Sequence, residues 1–201
     1  MSVVLVDYGA GNLPSVEGAL RRLGVPSRRC STPEPLADAD AVILPGVGHF
    51  SPFAAALDRR GLRQPLLDAI AREVPFLGIC LGLQALWEGS EEAPMARGLG
   101  VLPGRIAALP AGVKLPHMGW NRLRQLSGRT SRLLEGVAPD AYVYFAHSFA
   151  GSADGAVAVC DYGTTFTAVF ERGALFGVQF HPEKSGAVGS VVLRNFLETA
   201  R

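Results

Sequence analysis

The first eighty residues alternate short strand-like runs with helical segments, and no other feature constrains the fold as much. Val3–Val6 is a β-rich apolar run without polar alternation, the pattern of a strand buried on both faces. Asn12 then stands as a helix N-cap with Pro14 in the first turn, and Val16, Ala19, Leu20 and Leu23 share one face up to a stop at Gly24. Residues 25–30 read as a second strand and 41–44 as a third, followed by Pro45-Gly46-Val47-Gly48 as a tight loop. Residues 57–70 hold helical periodicity broken around Gly61 and Pro65. Phe76–Cys80 is a further buried strand that runs straight into a helix from Leu81. Such repetition packs as a mostly parallel sheet with helices on both sides. From residue 101 onward short strands and turns take over, at 104–109, 142–146, 157–161, 166–170 and 174–180, before a final helix over 188–200. The expectation is an α/β fold: an open, mostly parallel sheet flanked by helices, with an antiparallel β extension, in one domain over 1–201.

Composition narrows the function classes. A chain of 201 residues needs no staples to hold a core. A net charge of +1 argues against a nucleic-acid or anionic-membrane surface as the main business. The three cysteines, Cys30, Cys80 and Cys160, lie 50 and 80 residues apart, which excludes a disulfide scaffold or zinc ribbon and points to a reducing compartment. Residues 1–8 lack a basic n-region, and the longest apolar run, 74–83, is ten residues against the roughly 20 that a membrane helix needs. A cytoplasmic location is expected. Among the 19 basic residues only Lys114 and Lys184 are lysines, a bias that fits GC-rich coding.

Gly78-Ile79-Cys80-Leu81-Gly82 sits where a buried strand becomes a helix. A nucleophile at such a turn needs glycines two before and two after, so that nothing collides with a strained backbone. The sulfur would project from the carboxyl end of the sheet, where open α/β sheets bind ligands. It would also face a helix N-terminus, whose partial positive charge favours thiolate. Cys30 and Cys160 lack flanking glycines and read as core fillers. A thiolate nucleophile needs a base and an orienting acceptor, and His181-Pro182-Glu183 supplies both. Pro182 biases His181 toward extended backbone, in which residues i and i+2 point to one side about 6.6 Å apart. Glu183 would then hold one ring nitrogen protonated and leave the other to face the sulfur. Gly46-Val47-Gly48 offers backbone N–H groups for an oxyanion. Gly9-Ala10-Gly11 opens like a dinucleotide fingerprint, but Pro14 takes the place of its third glycine, and there is no Walker loop. Neither a cofactor nor a metal is called for.

With Cys80, His181 and Glu183 in this order, the chain resembles the class I (triad) glutamine amidotransferases over nearly its full length. More narrowly it resembles the glutaminase subunits of imidazole glycerol phosphate synthases. That likeness rests on Asp7-Tyr8-Gly9-Ala10-Gly11-Asn12-Leu13, Pro45-Gly46-Val47-Gly48-His49-Phe50, Gly78 to Gln84, Pro116-His117-Met118-Gly119-Trp120-Asn121 and His181-Pro182-Glu183-Lys184-Ser185. The resemblance implies a flavodoxin-like amidotransferase fold and a reaction in histidine biosynthesis. Cys80 would attack the glutamine side-chain amide, His181 would move protons and Glu183 would orient it. A γ-glutamyl thioester would form, ammonia would leave, and water would release glutamate. It further implies Val47 and Leu81 as oxyanion donors, and Gly48, Gln84, Glu92, Tyr144, His147 and Ser148 around the glutamine. The implied partner is a (βα)₈-barrel synthase/cyclase subunit. That subunit receives ammonia through a tunnel and makes imidazole glycerol phosphate and aminoimidazole carboxamide ribotide. Asn12, Trp120, Asn121 and Lys184 map onto stretches that face this partner, and Lys184 offers a slim ammonium at a tunnel mouth.

One departure concerns the oxyanion loop, where related enzymes often carry a Gly-Gly pair. Pro45 removes one N–H donor here and Val47 disfavours positive φ. The loop is therefore expected not to form the hole in the isolated subunit, and docking of the liganded synthase is expected to turn the Val47 amide inward. The triad pattern also suits another amidotransferase, such as the glutaminase of pyridoxal phosphate synthase, or a partner-free hydrolase of γ-glutamyl compounds. A silent binding module would keep the fold without needing the complete set.

Overall fold

The computed structural model describes residues 1–200. Numbered in chain order, the first half runs β1 Val3–Val6, α1 Leu13–Arg22, β2 Ser27–Cys30, β3 Ala41–Gly46, α2 Phe50–Arg59, α3 Arg63–Ala71, β4 Phe76–Cys80 and α4 Leu81–Gln84. The strand-rich half follows with β5 Trp87–Ser90, β6 Ala93–Arg97, β7 Leu102–Ala108, β8 His117–Arg122, β9 Arg124–Gln125, β10 Tyr142–His147, β11 Phe149–Ala150, β12 Ala156–Asp161, β13 Thr165–Arg172 and β14 Leu175–Val178, and α5 Gly186–Glu198 closes it. The main sheet has the order β2-β1-β3-β4-β14-β13-β12-β9. Its first five strands pair in parallel and the last three join antiparallel. A two-stranded sheet (β10-β8) and a four-stranded one (β11-β7-β5-β6) stand beside it.

Period-two alternation along the central strands sorts the core into two halves. Val3, Leu5, Ile43, Leu77 and Ile79 face α1 and α5, where Val16, Leu20, Val192 and Phe196 meet them. Val4, Val6, Val42, Leu44 and Phe76 face the opposite side, against Phe53 and Leu57 of α2 and Leu66 of α3. Both sheet faces are thus dry, which is why β1 and β4 carry no polar alternation.

Several boundaries differ from the sequence reading. The second strand begins at Ser27, because Pro26 has no N–H to give a ladder. The third continues through Pro45 and Gly46, so the loop starts only at Val47. The 57–70 stretch is two helices: Gly61 breaks them at φ +64°, and α2 starts earlier, where His49 Nδ1 accepts the Ser51 N–H. The helix after Cys80 is a single turn. Asn12 occupies the N-cap position but accepts the Ser15 hydroxyl at 2.8 Å instead of capping a backbone N–H. Strands β5, β6, β8, β9 and β11 were not foreseen; most are short, polar, or dependent on distant partners for their pairing.

The tightest packing surrounds the β4–α4 junction. A Cβ on Gly82 would sit 1.8 Å from the Leu44 carbonyl oxygen, and one on Gly78 would sit 2.7 Å from the Gly82 backbone. Gly82→Ala should therefore cost about 3 kcal/mol or more, from overpacking against rigid backbone. Gly18→Ala, in the middle of α1 with only flexible arginine ends near it, should gain roughly 0.5–1 kcal/mol. Thermal denaturation of the two variants checks the contrast, and equal midpoints would contradict this packing.

Candidate active site

Three neighbouring strands deliver the site. β3, β4 and β14 lie side by side and parallel, so the segments beginning at Val47, Cys80 and Gln179 all leave the same end of the sheet. Cys80 itself has φ +53° and ψ −109°, a left-handed conformation that costs a side-chain-bearing residue roughly 1–3 kcal/mol. Backbone stacked under Gly78 and Gly82 holds it there. Cys80 is 5% exposed and opens onto a cavity walled by Val47, Gly48, Gln84, Glu92, Ser148 and Lys184 among others. Other surface hollows, such as the one lined by Glu17, Arg21 and Pro26, hold neither a cysteine nor a histidine, so chemistry rather than size singles out this cavity.

His181 is extended (φ −100°, ψ 98°), but Glu183 lies in a 3₁₀ turn, Pro182–Lys184, not in extended chain. The pair meets by a different route from the one expected: the turn folds the carboxylate back, and His181 Nδ1 lies 2.8 Å from Glu183 Oε1. Both side chains are almost fully buried, at 4% and 2% exposure. Ser185 fixes the turn, donating its hydroxyl to the His181 carbonyl at 2.7 Å and accepting the Tyr144 N–H at 3.0 Å. Burial pushes the His181 imidazolium toward losing its proton. Its interactions with Cys80 and Glu183 outweigh that and hold its pKa well above the ordinary histidine value. Among the described residues Glu183 Oε2 has no hydrogen-bond partner. By contrast, burial raises the Cys30 thiol and pushes Cys160 up to about 12, which keeps both inert.

The remaining expected residues fall into distinct places. Gln84 lies in the cavity wall, one turn beyond Cys80, and its Nε2 donates to the Phe149 carbonyl (2.7 Å) and to Gln179 Oε1 (3.1 Å). Glu92 reaches the cavity while its Oε2 accepts the Phe50 N–H at 2.7 Å, a carboxylate at the positive end of α2. Gly48 and Ser148 line the cavity, and Leu81 begins α4 beside the sulfur. Tyr144 stands behind it: its carbonyl accepts the His181 N–H at 2.9 Å and its ring lies under Lys184 Nζ at 5.7 Å. The Val47 N–H donates to the Tyr8 hydroxyl at 3.1 Å, so in this state it is engaged elsewhere than with an oxyanion at Cys80.

His147 is in the wall, yet its ring has no polar atom left for a ligand. Phe149 O can only accept, so His147 Nδ1 carries a proton toward it at 2.9 Å. Burial lowers His147 to about 3, so the ring is neutral and its Nε2 must accept from His117 Nδ1 at 3.1 Å. His117, lowered by burial to about 4, is neutral too, and its Nε2 takes the Asn121 amide N–H at 3.1 Å. Antiparallel pairing of β8 with β10 places this chain on the dry face of their sheet, with His117 stacked 3.9 Å from the Tyr162 ring. Asn121 therefore points inward, opposite to Trp120. The other face is exposed and apolar, with Met118 at 65%, Trp120 at 55% and Tyr142 at 52% exposure.

Sequence reasoning missed Tyr8, Gln179 and Ser185 as parts of the site. Gln179 could have been found: it lies two residues before His181, on the side that an extended chain shares with it.

The family description "Glutamine amidotransferase class-I" matches residues 4–200. This chain belongs to the class I glutamine amidotransferases. It is 48% identical over 201 residues to the imidazole glycerol phosphate synthase subunit HisH of Methanothermobacter thermautotrophicus, covering 99% of each chain. It is 49% identical to HisH of Xylella fastidiosa, over 98% of this chain and 96% of that one. The chloroplastic imidazole glycerol phosphate synthase hisHF of Arabidopsis thaliana is 45% identical over 97% of this chain, which spans 34% of that longer protein. A solved structure described as a glutamine amidotransferase superposes with a TM-score of 0.78 at 20% identity, covering 100% of this chain and 99% of that one, a likeness of fold. This amidotransferase has, among its described residues, no helix long and apolar enough to cross a membrane.

The paired neutral histidines have a measurable consequence. Unfolded His117 and His147 would take up protons near pH 6.5, whereas the folded ones resist until about 4 and about 3. The unfolded state thus binds more protons as pH falls from 7 to 5, and stability drops across that window. Unfolded His181 also takes up its proton near pH 6.5 while the folded one already holds it, so it opposes the fall, mainly above pH 6.5, and leaves the neutral pair dominant over the window as a whole. The urea midpoint should fall between pH 7 and pH 5, and fall less in His117→Gln; a midpoint that stays level in the native chain would contradict the neutral pair.

Proposed function

We infer that this amidotransferase is the glutaminase subunit of an imidazole glycerol phosphate synthase, with Cys80, His181 and Glu183 as its catalytic triad. The observation that carries the reading is the buried His181–Glu183 pair beside a left-handed Cys80 at the floor of a cavity. In the proposed reaction the Cys80 thiolate attacks the side-chain amide carbon of glutamine, and the carbonyl π pair moves onto oxygen. His181 gives its proton to the amide nitrogen, the C–N bond breaks and ammonia leaves. The γ-glutamyl thioester then accepts water, which loses a proton to His181. The thiolate departs and glutamate is released. Glu183 stabilises the imidazolium throughout without taking its proton. Gln84 Oε1, whose amide nitrogen is fully committed, and Glu92 are the polar groups left to grip the amino-acid end of the substrate.

Two features support a partner at this end of the sheet. Met118, Trp120 and Tyr142 expose large apolar side chains together on one sheet face, the kind of patch that marks an interaction surface, and Trp120 meets Tyr144 edge-on at 6.2 Å, next to Lys184. The match covers about one third of hisHF, as expected where the glutaminase is fused to a second subunit. We assign this face to a (βα)₈-barrel cyclase subunit that takes ammonia past Lys184. Tyr8 acts as a latch: its hydroxyl holds the Val47 amide away from the oxyanion position until docking frees it.

Glutamine hydrolysis by the purified chain should rise at least 100-fold when the cyclase subunit and its nucleotide ligand are added, and equal rates would contradict the latch. Tyr8→Phe should raise the rate of the chain alone several-fold and shrink the partner's effect. A glutamine-analogue electrophile should label Cys80 and nothing in Cys80→Ala.

A further inference from the structure

Gln179 is fully buried beside the nucleophile, and its Nε2 lies 3.6 Å from the Cys80 sulfur. Which end of that amide faces the sulfur decides what it does: an N–H stabilises a thiolate, whereas an oxygen would stabilise a thiol. The surrounding bonds choose the N–H. The Phe149 carbonyl only accepts, so Gln84 must present its nitrogen there, at 2.7 Å. That same nitrogen's second hydrogen goes to Gln179 Oε1 at 3.1 Å, which leaves Gln179 Nε2 to point at Cys80. The Gln179 backbone N–H is tied to the Ala168 carbonyl at 2.9 Å, so the side chain is anchored at both ends. The Ala146 carbonyl oxygen is farther from the sulfur, at 4.0 Å.

We propose that Gln179 is a further catalytic residue, the N–H donor to the Cys80 thiolate, with its amide orientation set by a relay running from the Phe149 carbonyl through Gln84. The relay rests on the reading of Cys80 as nucleophile and adds a residue to it. It has a second consequence. Gln84 and Phe149 belong to the cavity wall, so substrate that disturbs either one also disturbs the donor on the sulfur. Binding and nucleophile are coupled through two side-chain amides.

The test compares the native chain with Gln179→Leu, Gln179→Glu and Gln84→Met, in complex with the cyclase subunit for activity and as the purified chain for alkylation. The titratable groups around the sulfur are His181, Tyr8 and His147, with Glu92 and Lys184 in the wall, and none is altered in these variants. A hydrogen bond to a charged group corresponds to roughly a 10–100-fold effect. Gln179→Leu should lower kcat by that factor with KM changed less than threefold, and its pH profile of iodoacetamide alkylation at Cys80 should move toward higher pH. Gln179→Glu keeps the shape but offers only oxygens, and should move the profile further. Gln84→Met does not touch the sulfur, yet should move the profile the same way, an effect that filling space alone would not produce. Folding is checked by circular dichroism, and if one Gln179 variant fails to fold the other two decide. An unmoved profile in the folded variants overturns the role of Gln179. Failure of the native chain to be alkylated at Cys80 would instead overturn the reading of the nucleophile.

Discussion

Everything in this site depends on one backbone conformation, the left-handed Cys80 at the junction of β4 and α4. It is unfavourable on its own, and it persists because the surrounding main chain leaves no alternative. The Leu44 carbonyl presses on Gly82, and Gly82 presses on Gly78, at distances that only glycine permits. The strain is offset by the two dry faces of the sheet, each filled by aliphatic and aromatic side chains. What the strain achieves is direction: the sulfur leaves the strand end and faces the cavity instead of the core.

Strand order does the rest. Because β3, β4 and β14 are adjacent and parallel, the Val47 loop, Cys80 and His181 arrive at one place from residues far apart in sequence. Three histidines close to one another then behave in opposite ways. His117 and His147 are buried among aromatic rings and each other, and lose their charge. His181 is buried as deeply, but its interactions with Cys80 and Glu183 raise its pKa and favour the protonated ring. A charged pair in a dry site poised over a cavity, backed by a neutral hydrogen-bonded wall, suits a reaction in which a proton is delivered to departing ammonia.

The parts legible in the sequence were those decided locally. Val3–Val6 and Phe76–Cys80 are short runs of apolar residues that fit only a doubly buried strand, and their boundaries agree with the structure. The glycines around Cys80 announced a close approach of backbone. Long-range decisions were illegible. Trp87–Ser90 and Ala93–Arg97 carry polar residues and a proline, and become strands through pairing, β5 with β7 in parallel and β6 with β5 antiparallel. The start of α2 at Phe50 was hidden because a histidine caps it. His181 and Glu183 were rightly brought together on the wrong geometry, since a 3₁₀ turn replaced the extended chain. The inward turn of Asn121 and the occupied nitrogens of His147 follow from pairing across β8 and β10, which no local pattern encodes.

The central claim is that Cys80 becomes covalently acylated by glutamine. Acid-quenching the complex during turnover and mapping the peptides by mass spectrometry tests it directly. The account predicts a γ-glutamyl thioester on the Cys80 peptide that hydroxylamine removes. A chain that turns over glutamine while Cys80 stays unmodified, or that carries the adduct on Cys30 or Cys160, would contradict it.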